Sequence, residues 1–462
     1  MKTQVLYSSL GVFVGPAPSN TGHFITSDGT VNNNWNTTTD NNSLVFPLKR
    51  VISSSFSIDP QRIQISNLGN FGTIARPILN NAQIKLNVDY YLMGLINEMR
   101  VGLLANVNTN GGIGEPLLSE SGRFSILSGL YTRDYSTTYD FEYYKWPLKC
   151  REPKNLFIAA KKDGLDLNDT TSGTNLSTLY KNTTVDVYGF GDCYLESYRC
   201  SAAYNQIPTV SLGFSANNLE LYSSGLCCDI PSVIPTTYDI RSGTKFSIPN
   251  TFEGTGLPTV LIPRDISLTI KQRSNNSTQL TDLIVDFNDI KIQNFDFSFN
   301  LNRSPMYSLG AKIPYDQKIT IPIISELNIK TFPGDSKAGS LVSLIKRDEP
   351  YDISIRMSYQ NKNQFTGVGI CYEFIGAKFG GASSSSSIGS RQDFNLKFET
   401  QLNPISTSYG LFMTGYLGIP NSPTDIVYLA DSFFSNTMPV DNLLMQNGDL
   451  FWLNTSGYRI LY

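Results

Sequence analysis

The stretch Phe56-Ser57-Ile58-Asp59-Pro60-Gln61-Arg62, followed after five residues by Leu68-Gly69, occurs twice in this chain. The second copy is Phe297-Ser298-Phe299-Asn300-Leu301-Asn302-Arg303, with Leu309-Gly310 at the same spacing. In each copy alternating apolar residues (Phe56 and Ile58; Phe295, Phe297, Phe299 and Leu301) lead into a short turn, an arginine and a Leu-Gly stop. Apolar residues at every second position mark a half-buried strand, and turn residues end it. A strand that recurs together with its turn and its arginine asks the rest of the chain to recur as well.

The flanks do recur, in order and in kind. After the first copy Ile84, Leu86 and Val88 alternate, and Leu92, Leu95, Ile96, Met99 and Leu103 fall on one helical face. After the second, Leu327 and Ile329 alternate, and Ala338, Leu341, Val342 and Ile345 follow the helical i, i+3, i+4, i+7 rule, with Asp335-Ser336 as the capping residues. The predicted helices are 91–104 and 337–347. Further on, Leu156–Ala160, then Val185, Val187 and Phe190, then Val210, Leu212 and Phe214 are answered by three runs. These are Ile353 to Tyr359, Val368 to Phe374, and Phe394, Leu396 and Phe398. Each half reads strand, strand, helix, strand, strand, strand. The pattern predicts an internal duplication with one large insertion, about 105–150, in the first copy.

The 462 residues divide on this reading into an N-terminal strand and polar arm (1–47), a first unit (48–222), a connector (223–265), a second unit (266–402) and a C-terminal arm or small subdomain (403–462). Only 16% of residues are charged while 12% are aromatic, which suits pleated, half-buried surfaces rather than long helices. A formal net charge of −3 supplies no broad basic face to hold nucleic acid. No run approaches the roughly 18–20 apolar residues of a membrane helix, so a soluble chain is expected. Val5–Val14 reads as an edge strand or arm and not as a signal peptide, because Ser8 and Ser9 interrupt it. Cys150, Cys193, Cys200, Cys227, Cys228 and Cys371 have neither a CxxC pair nor zinc spacing, and reduced thiols are expected.

Chemistry-bearing constellations are scarce. The single histidine, His23, lies in a polar region, which removes multi-histidine metal sites and the usual nucleophile-histidine arrangements. Gly189-Phe190-Gly191 and Gly367-Val368-Gly369 neither open a helix nor precede Lys-Ser/Thr, so strand bulges account for them better than a phosphate loop. Asp163, Asp166 and Asp169 lack the spacing of a calcium loop. No catalytic, cofactor-binding or metal residue is assigned, and no enzyme is expected. Arg62 and Arg303 have two readings, a turn-pinning arginine or an inter-subunit ion pair. Gly380–Ser387 reads as a hairpin tip or as a loop that orders against another subunit, and the long tip Asp163–Asn182 is a candidate for assembly.

The doubled Phe-Ser-x-Asp/Asn-x-x-Arg-x5-Leu-Gly signature, with this order of strands and helix, resembles the tail tube (major tail) proteins of long-tailed bacteriophages, in the version that fuses two tube domains. The run Val187-Tyr188-Gly189-Phe190-Gly191-Asp192-Cys193-Tyr194, with Ile207-Pro208-Thr209-Val210-Ser211 after it, resembles virion proteins of the same kind. The likeness covers about 48–222 and 266–402. It implies a mostly β chain of two tandem β-sandwich or split-barrel domains, each with one flanking helix. It also implies self-association into stacked rings around a channel through which DNA passes without specific binding. Other tail proteins would be partners, and the protein would reside in the virion tail after synthesis in the host bacterial cytoplasm. Two domains per chain imply trimeric rings with pseudo-sixfold symmetry. The rival class is a carbohydrate-binding or carbohydrate-cleaving phage fibre or surface protein, for which Tyr, Trp and Asn are suited. A glycosidase needs a carboxylate pair that no pattern here identifies.

Overall fold

The computed structural model describes residues 10–16, 24–25, 31–32, 46–60, 62–66, 73–76, 83–92, 94–104, 124–128, 130, 153–161, 185–223, 261–272, 291–309, 314, 316–332, 350–359, 368–385, 393–403, 409–415, 443–444 and 450–451. These residues are mostly strand. Thirteen strands carry the architecture: β1 (Leu10–Pro16), β2 (Val51–Asp59), β3 (Gln83–Tyr91), β4 (Lys154–Lys161), β5 (Val185–Ala203), β6 (Thr209–Ser223), β7 (Leu261–Gln272), β8 (Lys291–Asn300), β9 (Ile323–Phe332), β10 (Tyr351–Tyr359), β11 (Val368–Ser385), β12 (Asp393–Leu402) and β13 (Gly410–Gly415). One short helix, α1 (Ile96–Arg100), follows β3. All thirteen strands belong to one antiparallel sheet that does not close on itself.

Within that sheet, β1 to β6 pair in the order β1-β4-β5-β6-β3-β2, and β7 to β12 in the order β7-β10-β11-β12-β9-β8. The registers agree residue by residue. Phe56, Leu86, Phe214 and Leu195 are successive cross-strand partners on β2, β3, β6 and β5. Phe297, Leu327, Phe398 and Phe379 are the same chain of partners on β8, β9, β12 and β11. Register shifts also coincide. The shift between Lys154 and Leu156 recurs between Tyr351 and Ile353, and that between Leu195 and Ser197 recurs between Phe379 and Gly381. A third, between Val51 and Ser53, recurs between Ile292 and Asn294. Because one slipped residue would turn every side chain to the opposite face, registers this constant keep equivalent residues on the core side.

The two strand sets join at one seam. The first nine residues of β5, Val185 to Cys193, run beside β4, but its last part, Ser197 to Ala203, pairs with β8 from Asn300 to Asn294. β5 is therefore common to both sets, and a single hydrophobic core runs across the seam. Alternation explains how each strand reaches it: along β3, Ile84, Leu86, Val88 and Tyr90 are buried while Gln83, Lys85 and Asn87 are exposed.

Two elements differ from their sequence expectations. The helix expected over 91–104 is five residues long, because β3 runs on to Tyr91 and Gly102 takes a left-handed φ of 84° that ends the helix. The Leu103 amide closes that end on the Glu98 carbonyl at 2.8 Å. The run expected as a hairpin tip at Gly380–Ser387 is strand as far as Ser385, since its backbone pairs with Asp393, Phe394, Asn395 and Leu396 of β12. Beyond residue 403, where no repeat is expected, β13 lies on β11 from Ile375 to Ile370. β12 and β13 together cover the edge of β11 that β6 alone covers on β5. β1 is buried at Val12, Phe13 and Val14, and among the described residues only the two-residue strand Phe46–Pro47 lies outside it. The helix expected at 337–347, His23, the tip Asp163–Asn182 with Asp163, Asp166 and Asp169, and Cys150, Cys227 and Cys228 lie outside the described residues.

Candidate self-association surface

β2 and β8 hold equivalent places and have opposite fates. Phe297 and Phe299 of β8 are 0% and 2% exposed, whereas Phe56 and Ile58 of β2 are 41% and 49% exposed. Local packing does not cause the difference, since the aromatic neighbours recur. Phe297 meets Tyr372 and Phe374 at centroid distances of 4.8 and 5.2 Å, and Phe56 meets Tyr188 and Phe190 at 5.7 and 5.3 Å. The seam causes it. Tyr198 of β5 stacks over Phe297 and Phe299 at 5.9 and 5.5 Å, and among the described residues no strand pairs with the corresponding edge of β2. An unpaired edge strand bearing large apolar side chains is a template for another chain.

The two arginines singled out in the sequence sit at the same corner of each set. Arg62 Nη1 donates to the Arg76 carbonyl at 3.1 Å, and Arg303 Nη1 donates to the Gln317 carbonyl at 3.0 Å. Each thereby ties one arm of a short hairpin, Ile65–Ser66 with Thr73–Ala75 or Arg303–Met306 with Asp316–Ile319. Arg303 has a further bond, from Nε to the Leu195 carbonyl at 2.7 Å, and its guanidinium lies 5.3 Å from the centre of the Tyr194 ring. Both contacts cross the seam, so Arg303 fastens one strand set to the other.

Behind the seam is a cluster that sequence reasoning missed. The Tyr90 hydroxyl donates to Glu98 Oε1 at 2.8 Å, the Tyr198 hydroxyl donates to the same oxygen at 3.3 Å, and the Tyr372 hydroxyl lies 2.9 Å from that of Tyr198. Burial raises the Glu98 carboxyl to about 7, against the lowering effect of its hydrogen bonds, and it raises the phenols of Tyr90, Tyr198 and Tyr372 as well. α1 exists to place this carboxyl: Asn97 beside it exchanges two hydrogen bonds with the backbone of Lys49, at 2.8 and 2.9 Å. All four side chains of the cluster are fully buried. No local signal could have found it, because its members come from β3, α1, β5 and β11.

The remaining chemistry is sparse. Among the described residues no group of His, Cys, Asp and Glu is placed to hold a metal ion, and Cys193, Cys200 and Cys371 are buried cysteines. Gly189 and Gly191 lie within β5. A recess lined by Tyr204, Leu268, Phe295 and Ile355 measures about 70 Å³, room for a few water molecules and not for a sugar. No described helix is long and apolar enough to cross a membrane. No protein-family model matches the chain, and no curated protein matches it.

Proposed function

We propose that this chain is a virion structural protein whose two strand sets are tandem tube-like units, polymerising into stacked rings that form a bacteriophage tail tube. The exposure of Phe56 and Ile58, at the place where Phe297 and Phe299 are buried by the other set, carries the reading. Among the described residues the second set is covered on this edge and the first is bare on it, which fits a contact with another copy. The repeated pairing order and registers support the tandem duplication. The contact is head-to-tail, and a head-to-tail contact generates a ring when its rotation closes.

With two units in each chain, three chains supply the six units of a ring, giving threefold symmetry that approximates sixfold. DNA passes through the lumen without specific binding, as a net charge of −3 suits. Other tail proteins meet the ends of the tube, and the protein works by shape, with no catalytic role. It is made in the host cytoplasm and resides in the virion. Cryo-electron microscopy of assembled material tests this directly: threefold rings with two unlike protrusions alternating around each ring are expected. Six identical protrusions at one level would overturn the stoichiometry, and a protein that stays a monomer at high concentration would overturn the assembly role.

A further inference from the structure

We infer that β2 of one copy adds to the free edge of β11 of the next, in the register by which β8 adds to β5 inside the chain. The inference rests on the ring-forming reading for the claim that copies meet, and it specifies the surface and the alignment. Within the chain, Phe299 pairs with Tyr198, Ser298 with Arg199 and Phe297 with Cys200. The matched registers make Ile58, Ser57 and Phe56 the counterparts of Phe299, Ser298 and Phe297. They make Ala382, Ser383 and Ser384 the counterparts of Tyr198, Arg199 and Cys200. In the contact between copies, Ile58 therefore faces Ala382, Ser57 faces Ser383, and Phe56 faces Ser384 of the next copy.

Among the described residues both sides of this contact are bare in the single chain. Ala382, Ser383 and Ser384 are exposed, whereas Tyr198 and Cys200 are buried. β10 covers β11 only as far as Ala377, and among the described residues no strand continues along that edge. Small side chains on β11 leave room for the large ones of β2. The run of serines thus forms a receiving edge, with backbone groups available for strand addition. Arg62 completes the match. It already makes the hairpin bond that Arg303 makes, and the carbonyl equivalent to the one Arg303 Nε holds, that of Leu195, is Phe379 of the next copy.

The contact between copies lacks three fasteners of the internal seam. Lys378 stands where Tyr194 lies beneath Arg303, and Pro60 has no amide to repeat the 2.8 Å bond from Leu301 to the Glu196 carbonyl. The ion pair of Arg199 with Asp296 is replaced by Ser383 and Ser55. The joint between copies is the weaker of the two and separates first.

The full-length chain carrying Ser57→Cys and Ser383→Cys, assembled and then oxidised, is the test. Both positions are exposed, so folding is not at stake. A covalent ladder of dimers and higher species is expected, absent from either single variant. Ser298→Cys with Arg199→Cys should close within one chain and serves as the geometric control. In the wild-type protein, hydrogen exchange should slow on assembly at residues 54–59 and 381–385 together. Assembled particles with no ladder and no protection at these edges would overturn the register and leave the ring-forming role standing. A wild-type protein that never assembles would overturn both.

Discussion

The hydroxyls of Tyr198 and Tyr372 are 2.9 Å apart, and they join the two strand sets inside the core. With the Tyr198 proton directed to Glu98, Tyr372 donates to the Tyr198 oxygen, so each hydroxyl depends on the next. Replacing either tyrosine by phenylalanine leaves a buried partner short of a bond, which costs about 1–3 kcal/mol. The double variant should cost less than the two single changes added together, as expected of groups in one network. Urea unfolding of the three variants measures this; strictly additive losses would show that the pair is not coupled.

Stability should fall as pH rises from about 4.5 toward neutrality because of Glu98. Its carboxyl is raised from an ordinary 4.5 to about 7 by burial. The folded state therefore holds a proton that the unfolded chain has released between those two values. The stabilisation is fully present below pH 4.5, declines as pH rises, and is gone above about 7. At roughly 1.4 kcal/mol per unit the loss is on the order of 3 kcal/mol. Glu98→Gln keeps the shape and an acceptor for Tyr90 while removing the titration. Urea midpoints compared at pH 5 and pH 8 should differ markedly in the wild type and much less in this variant.

Arg303 and Arg62 should separate folding from assembly. Arg303→Ala loses two carbonyl contacts across and beside the seam and is expected to cost about 1–3 kcal/mol. Arg303→Lys should not restore it, since a single ammonium cannot span both acceptors as the guanidinium fork does. Arg62→Ala changes an exposed side chain, so protomer stability should move by no more than about 0.5 kcal/mol, while the assembled fraction falls. Thermal unfolding and sedimentation of the same samples check both halves of the statement.

The strands were legible because their alternation is regular: Leu86, Val88, Leu212, Phe214, Leu327, Ile329, Leu396 and Phe398 are all read as core from period two, and all are buried. The serine run was not legible as strand, because Ser383 and Ser384 carry no apolar signal and are held by backbone pairing to β12. The helix was over-read because the apolar spacing of Leu92, Leu95 and Leu103 persists through Gly102, where the left-handed φ breaks it. Leu92 and Leu103 are buried without being helical. The repeated Phe-Ser motif marked two equivalent strands, but not which copy is exposed. That depends on β5 reaching β8 and not β2, a long-range pairing with no trace in either motif.

That contrast gives the sharpest pair of substitutions. Lysine on an edge strand is a common natural block to unwanted pairing. Ile58→Lys places it on β2, where half of the side chain is already in solvent. Stability should change by less than about 1 kcal/mol, and the protein should remain a well-folded monomer under conditions in which the wild type assembles. Phe299→Lys places the same charge at the equivalent position of β8, beneath the Tyr198 ring. Phe299 is 2% exposed, so the ammonium would be taken out of water, and the loss should exceed about 4 kcal/mol. Circular dichroism with heating, together with sedimentation velocity, distinguishes the two outcomes. If Ile58→Lys also unfolded the chain, β2 would be an internal strand of the protomer. If it assembled as well as the wild type, the edge of β2 would not be the surface that copies use.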